Sequence, residues 1–406
     1  MLNIKIWYLV FALVLSIRCN SVTDKAETDY PDPKKNPQSP LMLTGDWVPA
    51  NTHSIDFEHL PHLRSQHAMV SDVRDPEVRL EDPSGVNNKS GGVNQHNYLT
   101  YFDHKYWIMW SDGPGVEDRV GQRVKYATSI DGIQWTAPQF MTPAPLNSGP
   151  DSPTYNTRSE DGWRWISRGF WERNGQLYAL VSLDEAAEFF GPGLSLHAFT
   201  PDQDGVWKDE GIIYDDAINN FPPKKIPSGD WMMSRRTHDY KEKGVEFMLG
   251  GTESVYQWES FPVLGTASEL SAEEPFWWVL PDINLMAIFR DNNKSGYLYR
   301  SFSTDNARTW SKPVKTNFPD ATSKMNGLRL SDGRYIFVSN ANPSKRDPLV
   351  LSVSEDGMVF NKMYYLVGGE RVDYPHVLEH DGSLLVAFSR QKQTVEVLKI
   401  SISDIK

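Results

Sequence analysis

The stretch SIDGIQW, residues 129–135, sets an Asp two places after a Ser, turns on Gly132 and ends on Trp135. A close copy, STDNARTW, stands at 303–310, and a more divergent one, SEDGMVF, at 354–360. Ser and Asp side chains in such turns hydrogen-bond backbone amides a few residues on. The motif therefore reads as a structural link between two strands, with its aromatic residue packing between neighbouring units. Around it the chain keeps returning to one hairpin pattern: an extended stretch, a turn with Asp, Asn or Gly, and a strongly apolar stretch ending in polar residues. The copies are HNYLTYFDHKYWIMWSD (96–112), WISRGFWERNGQLYALVSLDE (165–185), NNFPPKKIPSGDWMMSRR (219–236), EEPFWWVLPDINLMAIFRD (273–291), KMNGLRLSDGRYIFVSN (324–340) and DYPHVLEHDGSLLVAFSR (373–390). After each of the first five come a third strand and a shorter fourth, as in RVKYATS then WTAPQFM, or YLYRSFS then WSKPVKT.

Four strands per repeat, at a spacing of roughly 50 to 70 residues, describe the blades of a β-propeller. The last repeat stops after VEVLKIS (395–401), so the strand QHAMVSD (66–72) is expected to complete that blade and close the ring. The expected fold is all-β: a propeller of six four-stranded blades within residues 46–406, with residues 45–90 leaving room for a seventh.

At 406 residues, 39% hydrophobic and 23% charged, the chain is globular in composition. Aromatic residues make up 12%, with 14 Trp and 17 Tyr, which favours strands and sugar-stacking surfaces. A formal charge of −12 argues against broad binding to nucleic acid or anionic membranes, so an anionic ligand would need a local basic pocket. Lys5 precedes the apolar run IWYLVFALVLSI (6–17), the length of a signal-peptide core and short for a bilayer span. The single cysteine, Cys19, follows it and excludes a disulfide within the chain. In a bacterial protein Cys19 could carry a lipid, although Arg18 stands where a small residue is expected. Residues 1–19 thus read as an export signal, to the periplasm or cell surface, with membrane contact only through such a lipid. Residues 20–45, polar and Pro-rich, read as a tether. The sequence requires no cofactor, and no motif supports a structural calcium or zinc.

With these turns and hairpins over about residues 60–400, the chain resembles the Asp-box (BNR-repeat) sialidase-like propellers, which include sialidases and several polysaccharide-degrading enzymes. That resemblance implies a fold and leaves the reaction to the site. In each blade the innermost strand runs away from one face and the second returns, so the start of the first and the end of the second meet on one rim. His96, Asn97, Asp112, Arg168, Asn220, Arg235, Arg236, His238, Glu273, Glu274, Arg290, Lys324, Asn326, Asp373, Tyr374, His376, Arg390 and Lys392 are expected there. Arg236 should face away from whatever Arg235 faces, because strand neighbours alternate. The opposite ends hold DHK, RNG, PSGD, PDIN, SDG and HDG, turn formers with little chemistry. Guanidinium groups crowded at one mouth of an acidic protein point to an acidic saccharide, since their forks match carboxylate and sulfate oxygens. Trp110, Trp165 and Phe276 are candidates for stacking on its rings.

Three readings stay open. The first is β-elimination on a uronate: Arg168, Arg235 and Arg290 clamp the carboxylate, Asn220 or Asn326 assists, and His96 with Tyr374 serves as base and acid. Arg236, His238, Glu274, His376 and Arg390 would complete substrate binding. Expelling a sugar makes a lyase, and expelling water a dehydratase. At pattern level the chain resembles propeller lyases of ulvan or rhamnosyl-glucuronate. The second is a sialidase-like exo-glycosidase. The resemblance then implies three arginines, a Tyr–Glu nucleophile pair and an Asp acid, with Arg235, Arg290, Arg390, Tyr374, Glu274 and Asp112 in those parts. An Arg-Ile-Pro setting near the first strand is missing, and IFRDN occurs mid-chain instead. The third is a noncatalytic sugar-binding propeller. The first is preferred because the rim is richer in cations and histidine than in opposed carboxyls.

Overall fold

The computed structural model describes residues 30–74, 92–187, 189–239, 244–264 and 270–406. The segment expected to be an export signal, and Cys19, lie outside them. Six four-stranded antiparallel sheets follow one another along the chain. Blade 1 comprises Gly92–Phe102, Lys105–Pro114, Arg123–Ser129 and Gln139–Phe140, from the propeller axis outward. The inner hairpins of blades 2 to 6 are Trp163–Arg173 with Gln176–Glu185, Lys224–Lys225 with Trp231–Arg235, Ala272–Val279 with Leu285–Asp291, Asn326–Arg329 with Tyr335–Ser339, and Val372–His380 with Ser383–Arg390. The N-terminal strand Ser65–Asp72 pairs antiparallel with Thr394–Ser401 as the outermost strand of blade 6. The count is therefore six blades, closed as the sequence predicts. Blade 3 departs most from expectation: its innermost strand is two residues long, because Pro222 and Pro223 have no N–H to give a ladder.

Inner strands are buried on both sides, as in Trp163–Arg173, where eight consecutive residues are buried. That loss of hydrophobic alternation has a simple cause: each sheet is covered by a neighbour on either face. The buried apolar residues fall into six clusters, one at each junction between consecutive blades, blade 6 against blade 1 included. The motif turns serve these junctions. In the first, Asp131 Oδ1 accepts from the amides of Ile133 (2.8 Å) and Gln134 (2.7 Å) and from Ser129 Oγ (3.0 Å). Asp305 and Asp356 repeat the arrangement. Trp310, closing the second turn, packs 4.9 Å from the Phe247 ring of blade 3.

The tether expected to end at residue 45 is in part packed structure. Met42 and Leu43 are fully buried in the junction of blades 4 and 5, and Leu43 bridges to Phe360.

Candidate functional site

In four blades the innermost strand carries one extra residue at the same level, near its start. The ladder skips between Gln95 and Tyr98, Ser167 and Gly169, Glu273 and Phe276, and Asp373 and His376. His96, Glu274 and Tyr374 sit in these bulges with φ of 55°, 47° and 56°, and Gly169 with 111°. Positive φ is uncommon for such residues, and a bulge re-aims a side chain out of the strand's alternation. The bulges bring His96, Glu274 and Tyr374 to the rim, and Arg168 precedes the glycine in the fourth.

There the His96 ring meets the Tyr374 ring edge-on, with centroids 4.4 Å apart. The Tyr374 hydroxyl donates to Glu117 Oε1 at 2.8 Å, and the second Glu117 oxygen takes the Lys392 ammonium. Glu117 lies on the loop joining the second and third strands of blade 1. Asp118, next in the chain, accepts from Arg164 Nη1 at 2.6 Å, and the other edge of Arg164 holds Asp184 at 2.9 and 3.1 Å. Across the rim, Arg290 bridges Glu274 and Glu273, whose second oxygen forms an ion pair with Arg236 Nη1 at 3.1 Å. Arg346 and Arg371 both hold Asp373, at 2.6 and 2.7 Å.

These contacts sort the protonation states. Burial, reinforced by Arg168, Lys324 and Lys392, pushes His96 well below its ordinary range, so its imidazole is neutral. Burial and then the charges of Glu117, Glu274 and Asp373 push the Tyr374 phenol well above its usual value. At Glu117 burial opposes ionisation, but Lys392 and the Tyr374 hydroxyl outweigh it and hold the carboxyl at about 2. Asp118 goes the other way: burial, helped by Glu117, raises it to about 6 against the pull of Arg164. Below about pH 6 two adjacent carboxyls are thus held in opposite states, the arrangement an acid–base pair needs.

The structure corrects several expected roles. Arg235 pairs with Glu246 at 2.6 Å and lies over the Tyr214 ring of blade 2, turned from the rim. Its neighbour Arg236 is the inward one. His238 bonds Asp216 beside Arg235 rather than facing ligand. Arg390 is held by Glu396 and Glu370 in blade 6. Asp112 pairs with Lys125 at 3.0 Å, away from the acid position. His376 lies below the rim, where its Nδ1 accepts from the Leu99 amide at 3.1 Å and ties blade 6 to blade 1. Asn326 does the same for Val377, and Asn220 lends its carbonyl to the Tyr98 hydroxyl. Trp110, Trp165 and Phe276 are buried in blade junctions and offer no stacking surface. The guanidinium groups do not form an uncompensated clamp; carboxylates counter most of them. Sequence reasoning missed Glu117, Asp118 and Arg346, all on loops between second and third strands. Those loops leave from the same rim, which was the available signal.

Residues 198–386 match a family model described as a BNR repeat-like domain, somewhat under half of the chain. The fold is that of the sialidases. One sialidase structure superposes with a TM-score of 0.59 at 20% identity over 89% of this chain, which spans only 35% of that longer protein. A protein of unknown function from Dyadobacter fermentans superposes at 0.61 and 13% identity, over 84% of this chain and 100% of its own. The Trypanosoma rangeli sialidase, in complex with 2,3-difluorosialic acid as a covalent intermediate, superposes at 0.61 and 13% identity, over 85% of this chain and 60% of its own. At such identities the likeness is one of fold. No curated protein matches the chain.

Proposed function

We propose that this chain is a glycosidase of sialidase-like type that removes an acidic sugar at the rim, with Tyr374 as nucleophile. The observation that carries the reading is the 2.8 Å hydrogen bond from the Tyr374 hydroxyl to an ionised Glu117, beside an Asp118 that keeps its proton up to about pH 6. Tyr374 Oη attacks the anomeric carbon as Glu117 takes the phenolic proton. Asp118 gives its proton to the departing glycosidic oxygen, and that C–O bond breaks. In the second half Asp118 takes a proton from water, the water oxygen displaces Tyr374, and Glu117 returns the proton to the phenolate. A neutral nucleophile suits a substrate bearing its own carboxylate, because attack by a charged one would bring two anions together. Export of the chain, on the strength of its apolar residues 6–17, belongs to the same proposal.

A second reading keeps one observation of its own. His96 is neutral and in ring contact with Tyr374, as a base and an acid for β-elimination on a uronate would be. His96 would take the C5 proton while Tyr374 protonates the group leaving C4. Incubation with oligosaccharides ending in sialic or uronic acids separates the two. Hydrolysis releases a saturated sugar acid, whereas elimination leaves a double bond that absorbs in the ultraviolet. Saturated product supports the main reading, unsaturated product the second, and no product from any acidic glycan overturns both.

A further inference from the structure

We propose that the propeller axis, one layer below the rim, is a site for a carboxylate, and that Lys324 receives the acid group of the sugar there. The inference rests on the acidic-sugar reading above and names the group that recognises the acid. Lys324 is 2% exposed. Its Nζ donates to the Tyr98 hydroxyl at 2.7 Å and lies 4.3 Å over the Tyr98 ring and 4.8 Å over that of Phe221, so blades 1, 3 and 5 enclose it. Among the described residues no carboxylate stands within ion-pair distance of it. Burying an ammonium group in that way is costly unless an anion or a lost proton compensates.

Three amide side chains close by have spare capacity. Asn97 uses neither its oxygen nor its nitrogen, Asn220 leaves its oxygen unused and Asn326 its nitrogen, all buried. Asn97 and Asn220 adjoin Tyr98 and Phe221 in sequence, and Asn326 is two residues from Lys324, so all belong to the strand starts around the axis. A second lysine, Lys224, lies 4.6 Å over Phe276, whose ring meets Phe221 at 5.1 Å. The axis therefore offers positive charge and two free amide donors, those of Asn97 and Asn326, while the rim arginines are largely committed to Glu273, Glu274 and Asp373.

The charged and titratable groups facing Lys324 are His96 and Tyr98 from blade 1, Arg168 from blade 2, Glu274 and Arg290 from blade 4, and His376 from blade 6. Burial, with Arg168 and Arg290, lowers the ammonium to about 7 against the pull of Glu274. Anion binding needs the protonated form, so affinity should be full below pH 7 and fall above it. The test is calorimetric titration of the full chain with N-acetylneuraminic acid, glucuronic acid, their methyl esters, acetate and chloride, at pH 6 and pH 8.5. For a sugar acid we expect an affinity about thirtyfold lower at pH 8.5, little binding of the esters, and at least a tenfold loss with no pH dependence in Lys324→Met. Asn97→Ala should weaken binding severalfold and serves if Lys324→Met does not fold. The inference is overturned by flat pH dependence, by esters that bind as well as acids, or by unchanged affinity in Lys324→Met. Binding of acetate or chloride but of no sugar acid overturns the sugar assignment. Failure of wild type to bind any of these ligands brings down the acidic-sugar reading itself.

Discussion

Tyr374 and Glu117 show how much one pair of side chains must do. If the phenol is the nucleophile, Tyr374→Phe should lower kcat by at least about a thousandfold with little change in thermal stability. Asp118 sets the pH profile. Burial raises its carboxyl to about 6, and the protonated form is the acid, so glycosidase activity should be lost as pH rises through 6. Elimination by a neutral His96 would instead persist into the alkaline range, so a kcat–pH curve separates the readings independently of product analysis. Lys324 supplies a stability test of opposite sense. Its folded value of about 7 lies below the unfolded one, so its burden on folding is complete below pH 7 and fades toward pH 10.5. Lys324→Met should therefore melt higher than wild type at pH 6, with the gap narrowing by pH 9. At this scale the sequence was legible only in part. His96, Glu274, Arg290 and Tyr374 could be found because the starts of first strands and the ends of second strands on one rim are countable. Arg235 and Arg236 were given the wrong faces because two prolines shorten blade 3's first strand and remove the reference for alternation.

The bulges and the Asp turns are the elements that make the site possible. Gly169 has φ of 111°, and a Cβ there would lie 2.7 Å from Pro222 Cδ. Gly169→Ala should cost about 1–3 kcal/mol and displace Arg168, which calorimetry and ligand titration would register separately. Asp131→Ala removes two amide partners and a hydroxyl partner from an exposed turn, a loss of about 1–2 kcal/mol. Chemical denaturation would show it as a shift in midpoint with unchanged activity at permissive temperature. The Asp turns were legible because side chain and backbone partner lie within four residues. The bulges were not, since an extra residue in a strand depends on what the next strand pairs with, and Gln95, His96, Asn97 and Tyr98 carry no local mark of it. The loop holding Glu117 and Asp118 was missed for a related reason: it has no period, and only the closed ring folds it back onto Tyr374.

The whole molecule stands on closure. Ser65–Asp72 supplies the last strand of blade 6, with Ala68 and Val70 buried against blade 1. Deleting residues 65–72 should leave an open sheet edge and a gap in the ring. Size-exclusion chromatography would then show association, and cooperative melting would be lost; a monomer that melts like wild type would contradict the closure account. Six blades were countable from hairpins alone, because stacked blades bury every inner strand in the same way. What the ring brings to its axis is the harder part to read, since His96, Glu117, Asp118, Glu274, Lys324 and Tyr374 come from four different blades.

The central claim is that Tyr374 attacks an acidic sugar. The most direct measurement is mass spectrometry of the protein after exposure to fluorinated sialic and uronic acid glycosyl fluorides, which slow the release of a covalent intermediate. The account predicts a single glycosyl adduct mapped to the peptide containing Tyr374 and absent from Tyr374→Phe. An adduct on another residue, or turnover of natural acidic glycans to unsaturated products with no adduct, would contradict it.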